Sequence, residues 1–143
     1  MSPSRTIAVT RFIAVPPDRI FDLLADPRQH PRFDGSGTVA TVRRGPPRLF
    51  LGATFSMNMK IKVDYFTRNK VVVFDEDRSI AWHHFVQFIW RYDLEEHDGG
   101  TIVTESFSYD KPWGFLAVWG GFPEKNRAAM TKTLRRLEEI VTA

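Results

Sequence analysis

The sequence predicts an α+β domain, an antiparallel meander of six or seven strands closed by one long C-terminal helix. Three observations predict it. Phe55, Met57, Met59 and Ile61 alternate with Ser56, Asn58, Lys60 and Lys62, the period of two that gives a strand one dry face and one wet face. His97-Asp98-Gly99-Gly100 is a hairpin signal between two β-rich runs. Met130, Leu134, Leu137, Ile140 and Val141 recur at helical spacing behind Pro123 and Glu124, a proline and an acid suited to a first turn. With 143 residues, one compact domain over 1–143 is expected.

The elements follow in order. Residues 5–15 are rich in β-branched side chains and read as a strand, which Pro16-Pro17 ends. Pro17 and Asp18 open a short helix whose apolar stripe is Ile20, Phe21, Leu23 and Leu24, and which stops near Asp26-Pro27. The stretch from Asp26 to Gly37 is dense in turn formers and reads as a loop or a short helical turn. Strands are expected at 38–44, 55–62, 71–76, 80–85, 88–96 and 101–109, with turns at Gly45-Pro46-Pro47, at 75–78 and near Gln87. The segment 112–123, with three glycines among bulky apolar residues, reads as an apolar connector into the last helix. About 20 helical residues at about 1.5 Å each span roughly 30 Å, enough to cross a strongly curved sheet.

Composition narrows the function. Twelve phenylalanines, four tryptophans and three tyrosines make 13% of the chain, enough to fill a core or to line a cavity. Twenty basic against seventeen acidic residues leave +3, too mild a field to imply DNA or RNA. The absence of cysteine excludes disulfides, thiolate zinc sites and cysteine nucleophiles, and suits a cytoplasmic setting. Arg5 and Arg11 interrupt any N-terminal apolar run, so no signal peptide is expected, and no uncharged stretch approaches the roughly 20 residues of a membrane span. Neither a GxGxxG nor a Walker A pattern occurs, no HExxH or three-ligand spacing marks a metal, and Gly35-Ser36-Gly37 is too short for a nucleophile elbow. No cofactor and no metal are expected.

Two inward faces can be assigned, Phe55, Met57, Met59 and Ile61 on one strand and Phe88, Trp90, Tyr92 and Leu94 on another. Flat aromatics and adaptable methionines suit a planar or greasy ligand in a pocket of roughly 300 to 1,000 Å³; equally, they fill a core. If Val103, Phe107 and Tyr109 face inward, alternation carries Glu105 with them, where desolvation raises its pKa and makes it a candidate acid or base. The opposite parity leaves it in water. His83 and His84 are strand neighbours on opposite faces, so at most one reaches a cavity, while His30 and His97 read as solvated turn residues. The hydroxyls of Tyr92 and Tyr109 orient a ligand or make core hydrogen bonds. Trp113, Phe115, Leu116 and Trp119 form a gate over a cavity mouth or close a core. Arg43, Arg44, Arg48, Lys60, Lys62, Arg68 and Lys70, with Lys125, Arg127, Lys132, Arg135 and Arg136, are a solvated basic surface or a docking face.

The run IAVPPDRIFDLLADPRQHPRF, carried by Val15, Pro17, Ile20, Phe21, Leu24, Asp26, Pro31 and Phe33, resembles the opening of the START, polyketide-cyclase and pollen-allergen superfamily (SRPBCC). Phe33 stands where that superfamily often has Trp. LGATF, RSIAW, WRYDLEEHDGGTIVTESFSY and the last amphipathic helix are similar to its bacterial polyketide-cyclase-like members. The resemblance covers nearly the whole chain and implies a helix-grip fold with a cavity between sheet and C-terminal helix. It places Trp82 inward, and His84 on the same face, so His84 and Glu105 become the candidates for proton transfer. The implied lining adds Phe107, Tyr109, Trp113, Phe115, Trp119, Met130 and Leu134 to Phe55, Met57, Met59, Trp82, Phe88, Trp90 and Tyr92. The expected partner is a small hydrophobic or aromatic ligand, lipid or polyketide-like, with no DNA, the chain acting as monomer or homodimer. Two alternatives stand beside it: a cyclase or dehydratase-like enzyme, and a protein or ribosome interaction module with a filled core.

Overall fold

The order of β-rich runs becomes seven strands in one sheet, β1 (Thr6–Ile13), β2 (Val39–Arg44), β3 (Thr54–Lys60), β4 (Asp64–Asp75), β5 (Ser79–His83), β6 (Ile89–His97) and β7 (Gly100–Ser108). The structure is a computed structural model and describes residues 6–60, 64–83, 88–109 and 122–143. Every neighbouring pair is antiparallel, and the spatial order is β1-β7-β6-β5-β4-β3-β2, so β1 and β2 are the two edges. The hairpin signal at residues 97–100 places Asp98 and Gly99 at φ 48° and 77° between the paired residues His97 and Gly100, the double left-handed turn whose twist matches its strands.

Between β1 and β2 lie α1 (Pro17–Leu24), a 3-10 turn (Pro27–Gln29) and α2 (His30–Phe33). Pro17 fixes the first turn of α1, Asp18 complements its positive end, and Ile20, Phe21 and Leu24 are fully buried. The Asp26 carboxylate accepts from the Arg28 N–H at 3.0 Å and starts the 3-10 turn. The last helix, α3 (Phe122–Thr142), has 21 residues, begins one residue before Pro123 and spans about 31 Å. It turns Met130, Thr133, Leu134, Leu137 and Val141 onto the sheet. The Arg11 guanidinium donates to Glu138 at 2.8 Å and Arg19 to the Val141 carbonyl at 2.7 Å, tying the end of α3 to β1 and α1. The result is the helix-grip arrangement.

One strand is longer than the sequence pattern predicts: β4 starts at Asp64, not at Val71. Its inward positions Thr67 and Asn69 are polar yet 4% exposed, so no apolar alternation marks them. The core has two parts. The larger joins Ile13, Ile20, Phe21, Leu24, Val103 and Leu137 with the inner faces of β3 and β5; the smaller joins Ile7, Phe88, Phe107 and Met130. Among the described residues no helix is long and apolar enough to cross a membrane.

Candidate functional site

Between the concave face of the sheet and the first half of α3 the two core clusters leave a cavity of about 170 Å³. Its apolar walls are Phe55, Met57 and Met59 from β3, Trp82 from β5, Trp90 from β6 and Met130 from α3. Strand alternation delivers the first three to one side, and the pairing of Trp82 with Trp90 sets the two indoles on adjacent strands. The cavity is smaller than the 300 to 1,000 Å³ expected, and Phe107 and Leu134, expected in its lining, are buried in the core instead. It still exceeds the roughly 150 Å³ that suffices for a benzene ring.

The polar part of the wall comes from α2, β4, β6, β7, α3 and the loop after α2. Glu105 on β7 lies inward and is 2% exposed. Burial pushes its carboxyl up to about 8; the hydrogen bond donated by the Tyr92 hydroxyl at 3.0 Å opposes that rise, and the negative charge of Asp34 adds to it. Tyr92, directly opposite on β6, is in turn pushed well above its usual value by burial and by the Glu105 charge. At neutral pH both are uncharged. Glu105 Oε1 has no hydrogen-bond partner among the described residues, and neither has Asn69 Oδ1 on β4.

His30 corrects the sequence reading, which left it solvated. It is 6% exposed, lines the cavity and stacks on Trp82 with ring centres 5.0 Å apart and planes at 22°. Its Nε2 lies 2.9 Å from the Leu24 carbonyl; a carbonyl only accepts, so Nε2 carries the proton and Nδ1 is the acceptor nitrogen. Burial lowers its pKa, outweighing the Leu24 hydrogen bond and the charges of Asp26 and Asp34.

The rim is the loop from Asp34 to Thr38, seated on α3. Asp34 Oδ2 accepts from the Ser36 hydroxyl at 2.5 Å, the Gly35 N–H donates to Thr133 Oγ1 at 2.8 Å, and Arg136 donates to the Asp34 carbonyl. Gly35 is required there, since a Cβ would lie 2.8 Å from the Thr133 nitrogen and inside the Ala129 carbonyl oxygen.

The cavity therefore brings together Phe55, Met57, Met59, Trp82, Trp90, Tyr92, Glu105 and Met130 of the residues singled out in the sequence. Phe88, Phe107 and Leu134 pack in the core instead, and Tyr109 stacks on Phe107 at 5.8 Å; none is among the described lining residues. His84, Ile61, Trp113, Phe115 and Trp119 lie outside the described residues. Sequence reasoning missed His30, Thr67, Asn69 and Thr133, polar residues that no apolar periodicity marks as inward. Among the described residues no three acids or histidines converge as a metal site. In the basic set, Arg48 is held by Asp22 and Glu76 and Arg136 by the Asp34 carbonyl.

Comparison with known proteins adds the family. The uncharacterized protein Rv0088 of Mycobacterium tuberculosis strain H37Rv is 31% identical over 134 residues, which cover 89% of this chain and 60% of that protein. The chain thus spans 60% of the length of the curated relatives it matches. Protein Ms6760 of Mycobacterium smegmatis has a similar structure, with TM-score 0.73 and 22% identity over 97% of this chain and 92% of its own. The polyketide-cyclase-like protein Cgl2372 of Corynebacterium glutamicum has TM-score 0.64 and 19% identity over 99% and 94%. Both likenesses concern the fold. Residues 4–142 match the family described as polyketide cyclase / dehydrase and lipid transport. A sheet wrapped on a C-terminal helix, a cavity between them and a family match over nearly every residue agree: the chain belongs to the polyketide cyclase / dehydrase and lipid transport family.

Proposed function

We propose that the protein binds a small hydrophobic or aromatic ligand in the cavity between the sheet and α3. One observation carries the reading: about 170 Å³ of space is left open behind aromatic and methionine walls that a folding core would otherwise close. Organic extraction of the freshly purified protein with mass analysis, followed by titration with an environment-sensitive apolar dye, tests it. A co-purified small molecule or saturable dye binding is expected, and Trp90→Ala, which removes one aromatic wall, weakens the dye by roughly ten-fold or more. Absence of any saturable binding would overturn the reading.

A second reading is supported by Glu105, a buried carboxyl that titrates at about 8 beside the cavity. A carboxyl poised near neutral pH suits general acid or base chemistry, and the family description includes cyclase and dehydrase activity. If the extracted molecule is turned over, Glu105→Gln retains its binding and loses about 100-fold or more in turnover. Turnover unchanged by that substitution removes Glu105 from the chemistry; absence of any turnover leaves binding alone.

A further inference from the structure

A dry aromatic cavity has no need of polar wall, yet β4 turns two consecutive inward residues, Thr67 and Asn69, into this one. Burying an amide costs free energy unless each end is hydrogen-bonded. Asn69 Nδ2 faces the Phe55 carbonyl at 3.5 Å and Thr67 Oγ1 at 3.4 Å. The amide cannot turn over without setting its oxygen against the Phe55 carbonyl oxygen, so the acceptor end, Oδ1, is the one left without a partner among the described residues. That atom calls for a donor. The wall offers no positive charge to an anion: no lysine or arginine is among the described lining residues, His30 is kept neutral by burial, and Asp34 stands at the rim. The apolar walls, Trp82, Trp90 and Phe55, present rings to a ligand of one or two rings in size.

We propose that the cavity selects an uncharged aromatic molecule carrying an O–H or N–H donor, whose hydrogen is received by Asn69 Oδ1, and that it excludes carboxylates of the same shape. This inference rests on the ligand-binding reading and names the ligand class within it.

Three probes of one shape test it, p-xylene, p-cresol and 4-methylbenzoate, each used to displace the apolar dye from the full chain at pH 7. A pocket without an acceptor rejects p-cresol relative to p-xylene by about ten-fold or more, since the hydroxyl gives up water for nothing. Here p-cresol is expected to bind at least as tightly as p-xylene, and 4-methylbenzoate at least roughly 100-fold more weakly. Asn69→Leu, which keeps the bulk and removes the acceptor, lowers p-cresol affinity by about ten-fold and leaves p-xylene as tight or tighter. Rejection of p-cresol by the unmodified protein, binding of 4-methylbenzoate on a par with the others, or a ratio of p-cresol to p-xylene unmoved by Asn69→Leu would each overturn the proposal while leaving the cavity reading in place. Failure of the dye and all three probes to bind overturns the cavity reading itself, and this inference with it. The comparison among probes on the unmodified chain needs no variant to fold.

Discussion

Glu105→Gln holds its stability as the pH rises from 6.5 to 8, while the unmodified protein loses about 2 kcal/mol over the same window. The carboxyl is 2% exposed, and burial raises it from 4.5 to about 8. The sign follows from proton counting. Between those two values the unfolded chain has released the Glu105 proton and the folded chain keeps it, so stability falls by about 1.4 kcal/mol per pH unit. The contribution is complete below the unfolded value and is lost as the pH climbs through about 8. His30 acts in the other direction: its lowered pKa makes the folded chain refuse a proton that the unfolded chain takes up, which costs stability only below the ordinary histidine value of 6.5. Tyr92, raised well above 10, is silent until stronger alkali. The window from pH 6.5 to 8 therefore separates Glu105 from His30 and Tyr92. Glutamine keeps the shape, accepts the Tyr92 hydroxyl and has no proton to lose. Thermal or urea unfolding of both proteins at several pH values reads the effect, which amounts to roughly 4–8 °C in Tm for a chain of this size. Parallel curves for the two proteins would mean that Glu105 is ionised in the folded state.

The same residue shows what a sequence can and cannot reveal. On β7, Val103, Glu105 and Phe107 are buried while Ile102, Thr104, Ser106 and Ser108 are half-buried, so the period of two was readable and carried Glu105 with it. The hairpin at Asp98-Gly99 and the stripe from Met130 to Val141 were readable for the same reason, since turn chemistry and periodicity are local. The first half of β4 was not, because its inward residues are Thr67 and Asn69. Its outward Arg68 and Lys70 are the trace that remained, as two charges two apart require the residues between and beside them to face the other way. His30 left no trace at all. Its burial is made possible by Trp82, Phe55 and the Leu24 carbonyl, which the chain brings to it only in the folded state. The cavity is likewise a difference between two faces. A list of inward side chains gives its walls, and only their packing decides that Phe107 closes against Phe88 and Trp90, with ring centres 5.7 and 4.6 Å apart, while Trp82 and Trp90 border the space left over.

Gly35→Ala is expected to cost about 2–4 kcal/mol and to release bound dye roughly ten times faster, although residue 35 carries no side chain and does not itself line the cavity. The glycine lies where the rim loop meets α3, and the added methyl would overlap the Ala129 carbonyl and sit 2.8 Å from the Thr133 nitrogen. Neither neighbour can yield. Both belong to the backbone of a helix whose Leu134 and Leu137 are locked in the core, so the loop must lift instead. Lifting it breaks the Gly35 N–H bond to Thr133 and the Arg136 bond to the Asp34 carbonyl, and carries Asp34, Ser36 and Thr38 away from the cavity they border. The internal control is two residues away. Gly37 has nothing within 4 Å of its would-be Cβ and only a left-handed φ of 74°, so Gly37→Ala costs about 1–2 kcal/mol of local strain and leaves the seat intact. Stopped-flow dye release and amide exchange across residues 34–38 separate the two. Faster release and faster exchange confined to Gly35→Ala establish that close approach of backbone to helix holds the mouth of the cavity; equal behaviour of both variants would mean that the loop is held by its own Asp34, Ser36 and Thr38 hydrogen bonds and that α3 plays no part in closing the site.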